Sequence, residues 1–384
     1  ERIGDWVARR PKQVLVGTLG GCALLIAAIP SIELNDQWSE YFAPSLEFRQ
    51  AIDSAEPYFG SDQVEFILDP AVRGGATNPQ FLRTVDRFAA YLRAQTDDVA
   101  HVFALSDIMK RVNRSLNGGD PSYYAIPRTQ TLASQYLLVY ELSLPYGLDL
   151  NNRVDIDRRS TRITATMRDI STTETKAFLT AARAWFDKNA DGIGLDVTGS
   201  KVLFSFVAQR NIDAMFEGAV YLIVAVFVIL AVSFRSLLVG AISVLPNALP
   251  ILTTFGIWAL LVGTVGFSVA AVGAVAVGLV VDFTVHFLSK YLRARRLNNE
   301  TPIDSVRYAF RTAGTAILAT TVILASGFAL LITSTFKLNA DLGLLTAIAV
   351  VLAMLISFLL LPSLFLSFAK KSRRPGETPV PAAA

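Results

Sequence analysis

Asp282 and His286 stand four residues apart inside Phe267–Ser289 (FSVAAVGAVAVGLVVDFTVHFLS), a run long enough to cross a bilayer and otherwise nearly uncharged. On a helix, positions i and i+4 share a face. An ionisable group at membrane depth is expensive, and it is tolerated mainly where it faces a protein interior or a wet cavity. In transporters such groups carry protons. The pair therefore predicts ion-coupled transport, with Asp282 as the titrating group and His286, one turn nearer the cytoplasmic surface, as its relay. The plainer alternatives are a neutral aspartic acid bonded to a neighbouring helix and a histidine capping the wet end of its own. Lys290, a further turn on, is placed to snorkel to the headgroups.

Polar residues on neighbouring segments are candidates to complete such a path: Asn247, and Thr315, Thr320, Thr321 and Ser326. Serine and threonine in membrane helices more often bond their own backbone or tighten packing. Asn247 lies between Pro246 and Pro250, whose missing donors free backbone carbonyls that its amide could satisfy. Gly273 and Gly278, with Ala270, Ala271, Ala274 and Ala276, keep the Asp282 helix thin, which favours close packing against a partner.

The elements that must position these residues are read from hydropathy. Of 384 residues, 52% are hydrophobic and 17% charged, and the apolar excess is concentrated rather than spread. Six segments have the length and apolarity of membrane helices: Val14–Ile29, about Glu217–Phe234, Leu237–Val262, Phe267–Ser289, about Ala313–Thr333 and about Leu342–Phe368. The small residues of the first run, Gly17, Gly20 and Gly21, sit mid-run rather than at a cleavage site, so it reads as a retained helix. The single cysteine, Cys22, rules out an intramolecular disulfide, and two histidines rule out a histidine-rich metal site. No phosphate-binding loop of the Gly-x-x-x-x-Gly-Lys-Ser/Thr kind is present, so ATP is not the expected driver. No cofactor, metal or nucleic-acid partner is expected.

Basic residues set the expected orientation. Arg2, Arg9, Arg10 and Lys12 precede the first span and Arg235 lies between the second and third. Lys290, Arg293, Arg295, Arg296, Arg307 and Arg311 lie between the fourth and fifth, and Lys370, Lys371, Arg373 and Arg374 follow the sixth. With six spans all four groups fall on one side, the cytoplasmic one, which places both termini there. Trp6 fits the inner aromatic belt, Trp38 and Trp258 the outer.

Residues 31–213 must then be extracytoplasmic, in the periplasm if the membrane is a bacterial inner membrane. They read as a folded α/β domain: strand Gln63–Asp69, amphipathic helix Asn78–Gln95, strand Val99–Leu105, strand Thr161–Asp169, helix Thr173–Lys188 and strand Gly194–Thr198. This is a split, ferredoxin-like β-α-β pattern. A helical insertion at about 106–152 carries Tyr123, Tyr124, Tyr136, Tyr140 and Tyr146. Phe42, Phe48, Phe59, Tyr123 and Tyr124 are candidates for a hydrophobic substrate path, though aromatics at this density are more often core. After Thr198 one helix is expected to run directly into the second span. The chain thus divides into 1–30, the porter-like domain 31–213, a five-helix membrane domain 214–369 and a basic Pro/Ala tail 370–384.

One helix, a large external domain and five further helices resemble one half of a transporter of the resistance–nodulation–division (RND) superfamily. The likeness is to its MmpL-like and hopanoid-exporter branch, whose membrane core is related to the sterol-sensing domain. Gly278–His286 (GLVVDFTVH) is similar to the branch's fourth-helix signature. On that resemblance Asp282 is the proton-relay aspartate and Gly278 the signature glycine, while Phe283 replaces the usual tyrosine and removes a hydroxyl from the relay. Phe234-Arg235-Ser236, Leu245–Pro250 (LPNALP), Gly314 and Ser326-Gly327 resemble further family positions. Family members usually hold two such halves, which together with the absent initiator methionine suggests a C-terminal or separately encoded half.

The resemblance implies a proton-coupled exporter of hydrophobic or lipid-like molecules. Its partners would be membrane lipid, a second half on the same or another chain, and periplasmic or outer-membrane proteins. The competing classes are a non-transporting, sterol-sensing-like lipid-binding protein and a protein-translocation accessory. An enzyme is not expected: an intramembrane aspartyl protease needs two mid-span aspartates, and Asp341 lies at a helix end.

Overall fold

The computed structural model describes residues 2–145 and 148–368. The chain divides into two compact units, residues 35–209 and residues 1–34 with 210–384.

A short helix α1 (Arg2–Arg9) precedes α2 (Pro11–Ile26), whose first turn starts on a proline that has no amide to leave unsatisfied. The two-residue strand β1 (Glu33–Leu34) follows. The 35–209 unit then begins with α3 (Glu47–Phe59), a helix not foreseen from the sequence because its apolar residues are few and Pro57 lies within it. Next come β2 (Asp62–Asp69), α4 (Pro79–Arg93), β3 (Val99–Phe103), α5 (Leu105–Leu116), α6 (Gln130–Ser143), β4 (Thr161–Met167), α7 (Thr172–Asn189) and β5 (Gly194–Thr198). The four strands form one antiparallel sheet in the order β3-β4-β2-β5. Alternation in β2 and β4 buries Val64, Phe66, Leu68, Ile163, Ala165 and Met167 against the helices. The core is aromatic: Phe88 meets Phe66 edge-on at 5.2 Å and Phe186 at 5.0 Å. Two well-made caps fix the packed helices. Asn78 accepts from the amides of Gln80 and Phe81 at the start of α4, and Ser171 with Glu174 closes a capping box on α7.

The helix α8 (Ser200–Ser233) is unbroken over 34 residues. It begins in the 35–209 unit and ends in the other. The rest of that unit is α9 (Leu237–Leu261), strand β6 (Thr264–Val265), α10 (Phe267–Arg296), α11 (Pro302–Leu330) and α12 (Lys337–Phe368). Among the described residues six helices, α2 and α8 to α12, are long and apolar enough to cross a membrane. In α9, α10 and α12 about half of the apolar window is buried, whereas α2, α8 and α11 are mostly exposed. The first three are therefore the centre of the unit and the others its flanks. β1 pairs in parallel with β6 and joins the segment after α2 to the α9–α10 loop. Trp258, expected in an outer aromatic belt, is instead buried and donates from Nε1 to the Thr264 carbonyl at 2.7 Å, stapling that same loop.

Candidate functional site

Asp282 lies 15 residues into α10, about 22 Å along the helix axis from its start. The buried side of α10 is continuous: Ala276, Val277, Val280, Phe283, Thr284, Phe287, Leu288 and Tyr291 pack against α9, α11 and α12. The opposite side carries Val275, Gly278, Asp282 and His286 at helical spacing, all exposed. Asp282 Oδ1 and His286 Nε2 are 3.3 Å apart, with side chains 56% and 57% exposed. The two groups thus lie side by side, within reach of an ion pair when the histidine is protonated, and face outward from the six-helix unit.

The other sequence candidates fall elsewhere. Phe283, in the position where the resemblance expects tyrosine, points away from Asp282 into the core with Phe287, Phe310 and Phe358. A hydroxyl there would meet apolar neighbours rather than the pair. Asn247 is buried in α9. Its Nδ2 donates to the Ser243 carbonyl at 2.7 Å, and its Oδ1 accepts from Thr284 Oγ1 at 2.9 Å. It is a polar strut between α9 and α10, and the carbonyl it takes is Ser243's, one residue past the Ile242 carbonyl that Pro246 frees. Thr320 and Thr321 donate to the carbonyls four residues back, Ala316 at 3.0 Å and Ile317 at 2.8 Å. Among the described residues no hydrogen bond links Asn247, Thr320 or Thr321 to Asp282. Gly278 alone shares the stripe, and a Cβ added to it would meet nothing within 4 Å.

In the 35–209 unit the aromatics separate into groups. Phe42 and Phe48 meet edge-on at 5.3 Å, and Phe59 is exposed at the end of α3. Tyr123 and Tyr124 are partly exposed beyond α5. Tyr136 is core, its hydroxyl donating to Asn113 at 3.1 Å. Tyr146 and residues 370–384 lie outside the described residues. Thr284, the partner of Asn247, escaped sequence reasoning because an isolated threonine in an apolar helix gives no signal of what faces it.

Six apolar helices and an inserted α/β unit define a multi-pass membrane protein. The MMPL family profile matches residues 37–378, and the chain belongs to that family. It is similar to membrane protein MJ1562 of Methanocaldococcus jannaschii, 29% identical over 143 residues, which are 37% of this chain and 36% of that protein. It is also similar to membrane protein ActII-3 of Streptomyces coelicolor, 25% identical over 185 residues, or 47% of this chain and 26% of that protein. The match thus spans about a third of one relative's length and a quarter of the other's.

Proposed function

We propose that the chain is one half of an RND-type, proton-coupled secondary transporter for hydrophobic or lipid-like molecules. In this reading Asp282 carries the proton and His286 passes it on. The observation that carries the reading is the outward-facing Asp282–His286 pair. A carboxylate held against lipid tails is far costlier than one in a wet seam between protein surfaces. The exposed stripe of α10 therefore belongs against a second half, on the same or another chain. The seam between repeats is also where coupling ions sit in many transporters. The 185 residues shared with ActII-3 are 47% of this chain but 26% of that protein, which is therefore nearly twice as long, whereas MJ1562 is about the length of this chain.

The strand order of the 35–209 unit supports reading it as a ferredoxin-like porter domain. The basic residues around the helix ends support placing it outside the cytoplasmic membrane, with both termini inside. Periplasmic or outer-membrane partners would meet it there. Protonation at Asp282 would then bias the packing of α10 within the seam. The unbroken α8 is the physical link through which a shift in the membrane unit reaches the external one.

Efflux of a lipid-like substrate from reconstituted vesicles, driven by a pH gradient and with the complementary half present, tests the proposal. Asp282→Asn is expected to abolish the gradient-driven flux while expression and assembly persist. Flux that survives this substitution in an assembled protein would remove Asp282 from the coupling.

A further inference from the structure

A group of charged side chains in the 35–209 unit lies outside everything assigned above. Arg93 from the last turn of α4, His101 on the edge strand β3, Lys110 and Arg111 on α5, Tyr124 beyond α5 and Tyr140 on α6 line a cavity of about 440 Å³. That size falls in the range of small-molecule sites, roughly 300–1,000 Å³.

The cations are held in place rather than loose. Arg93 is ion-paired to Asp107 and donates to the Val102 carbonyl at 3.1 Å. Lys110 Nζ lies 2.6 Å from Asp86, 3.5 Å from Asp107 and 5.1 Å from the centre of the Tyr124 ring. Burial works against the Lys110 charge, but the two carboxylates outweigh it and raise its pKa, so the ammonium stays charged. Asp86 and Asp107 answer Arg93 and Lys110. Arg111 is left with no ion-pair partner among the described residues. The surplus charge in the cavity is therefore positive, and it sits on a planar guanidinium suited to a two-pronged grip on phosphate oxygens. The two tyrosines, with Val102 and Ile108, give the same cavity an apolar wall. A metal cation is disfavoured by the surrounding positive charge, and a bare anion would leave the tyrosine wall unused.

We propose that this cavity binds a phosphate monoester bearing an apolar or aromatic body. The phosphate lies on Arg111, with Arg93 and Lys110 behind it, and the body lies against Tyr124 and Tyr140. Such a group could come from a phosphatidate-type lipid headgroup or from a water-soluble phosphate ester. The site does not involve Asp282, and of the candidate substrate-path aromatics it takes up Tyr124 alone.

Calorimetric titration of the full chain in phosphatidylcholine nanodiscs tests it, with inorganic phosphate, phenyl phosphate and dihexanoyl phosphatidate as probes. At least one of the two esters is expected to bind saturably, about tenfold or more tighter than inorganic phosphate. Arg111→Glu is expected to weaken that binding by about tenfold or more. Tyr124→Ala is expected to narrow the gap between ester and inorganic phosphate. Both side chains are exposed, so the unfolding temperature should not move. Asp282→Asn should leave the affinities unchanged, which separates this proposal from the coupling one. Tighter binding of the phosphatidate assigns the lipid source, and tighter binding of phenyl phosphate the soluble one. No saturable binding, equal affinity for inorganic phosphate, or indifference to Arg111→Glu would overturn the proposal.

Discussion

A methyl group at Gly256 would lie 2.2 Å from the Leu25 carbonyl oxygen and 2.5 Å from its carbon. Both are backbone atoms of another helix, so neither can swing aside. This glycine lets α9 touch the main chain of α2, in the manner of small-residue contacts between membrane helices. Gly256→Ala is expected to push the two helices apart and to destabilise the six-helix unit by about 1–3 kcal/mol, the usual range for overpacking. Thermal unfolding in detergent would register this as a lowered midpoint. An unchanged midpoint would mean that α2 docks without this contact. The sequence shows a glycine at 256 but not which backbone crosses it. Asp282 and His286 differ in this respect. Their type and spacing can be read directly, because a carboxylate in an apolar run is conspicuous whatever surrounds it. What the sequence does not show is the direction they face. That is set by which side of α10 the apolar neighbours of α9, α11 and α12 take.

At the scale of elements, legibility follows the physical origin of each signal. Membrane helices were placed by hydropathy, and the apolar parts of all six were found where expected. Leu237, Phe267 and Phe368 stand as ends where expected, but the ends that extend into polar sequence do not. α10 runs on to Arg296 and α11 starts at Pro302, because a helix continues into polar sequence beyond the bilayer without any hydrophobic mark. In the α/β unit, the strands with clean alternation were located to within two residues. The second strand stops at Phe103 rather than Leu105, because Leu105 already opens α5. The β1–β6 pair had no local signal at all, since two residues acquire strand geometry only from their distant partner. The capping box of α7, Ser171 with Glu174, emerges only in the structure, since the sequence places that helix from Thr173, and it carries a pH-dependent prediction. The backbone amide of Ser171, and then its side chain, hold the Glu174 pKa below its ordinary value of 4.5. A depressed carboxylate pKa stabilises the folded state above the ordinary value, and that stabilisation fades as pH falls through the folded one. Ser171→Ala is expected to cost about 1 kcal/mol at neutral pH. Hydrogen exchange at the first-turn amides of α7 should therefore speed up by about fivefold, and by less once pH has fallen through the lowered folded-state pKa of Glu174, where its carboxylate no longer carries the charge that the cap holds. A penalty independent of pH would detach Glu174 from the cap.

For the molecule as a whole, the decisive question is what covers the outer face of α10. Lipid and protein make opposite demands on Gly278, which sits one turn before Asp282 on the same stripe and has nothing within 4 Å of where a Cβ would stand. If lipid covers the stripe, a leucine at 278 is as apolar as the tails around it and changes nothing. If a second half packs there, the glycine is the point of close approach, and an isobutyl group holds the two surfaces apart and alters the water between them. Gly278→Leu is therefore expected to leave the unfolding midpoint of the six-helix unit itself unchanged, because the added Cβ meets no neighbour and the position is exposed. With the complementary half present it should cut gradient-driven flux by about tenfold or more, the effect of losing roughly 1.4 kcal/mol of coupling. The two measurements must be read together. A drop in both would signal misfolding of α10, which the open space around Gly278 argues against. Full flux with an unchanged midpoint would place the stripe against lipid. Asp282 would then be an ionisable side chain facing hydrocarbon with only His286 for company, an arrangement costly enough that the half-transporter reading would have to be given up along with the seam.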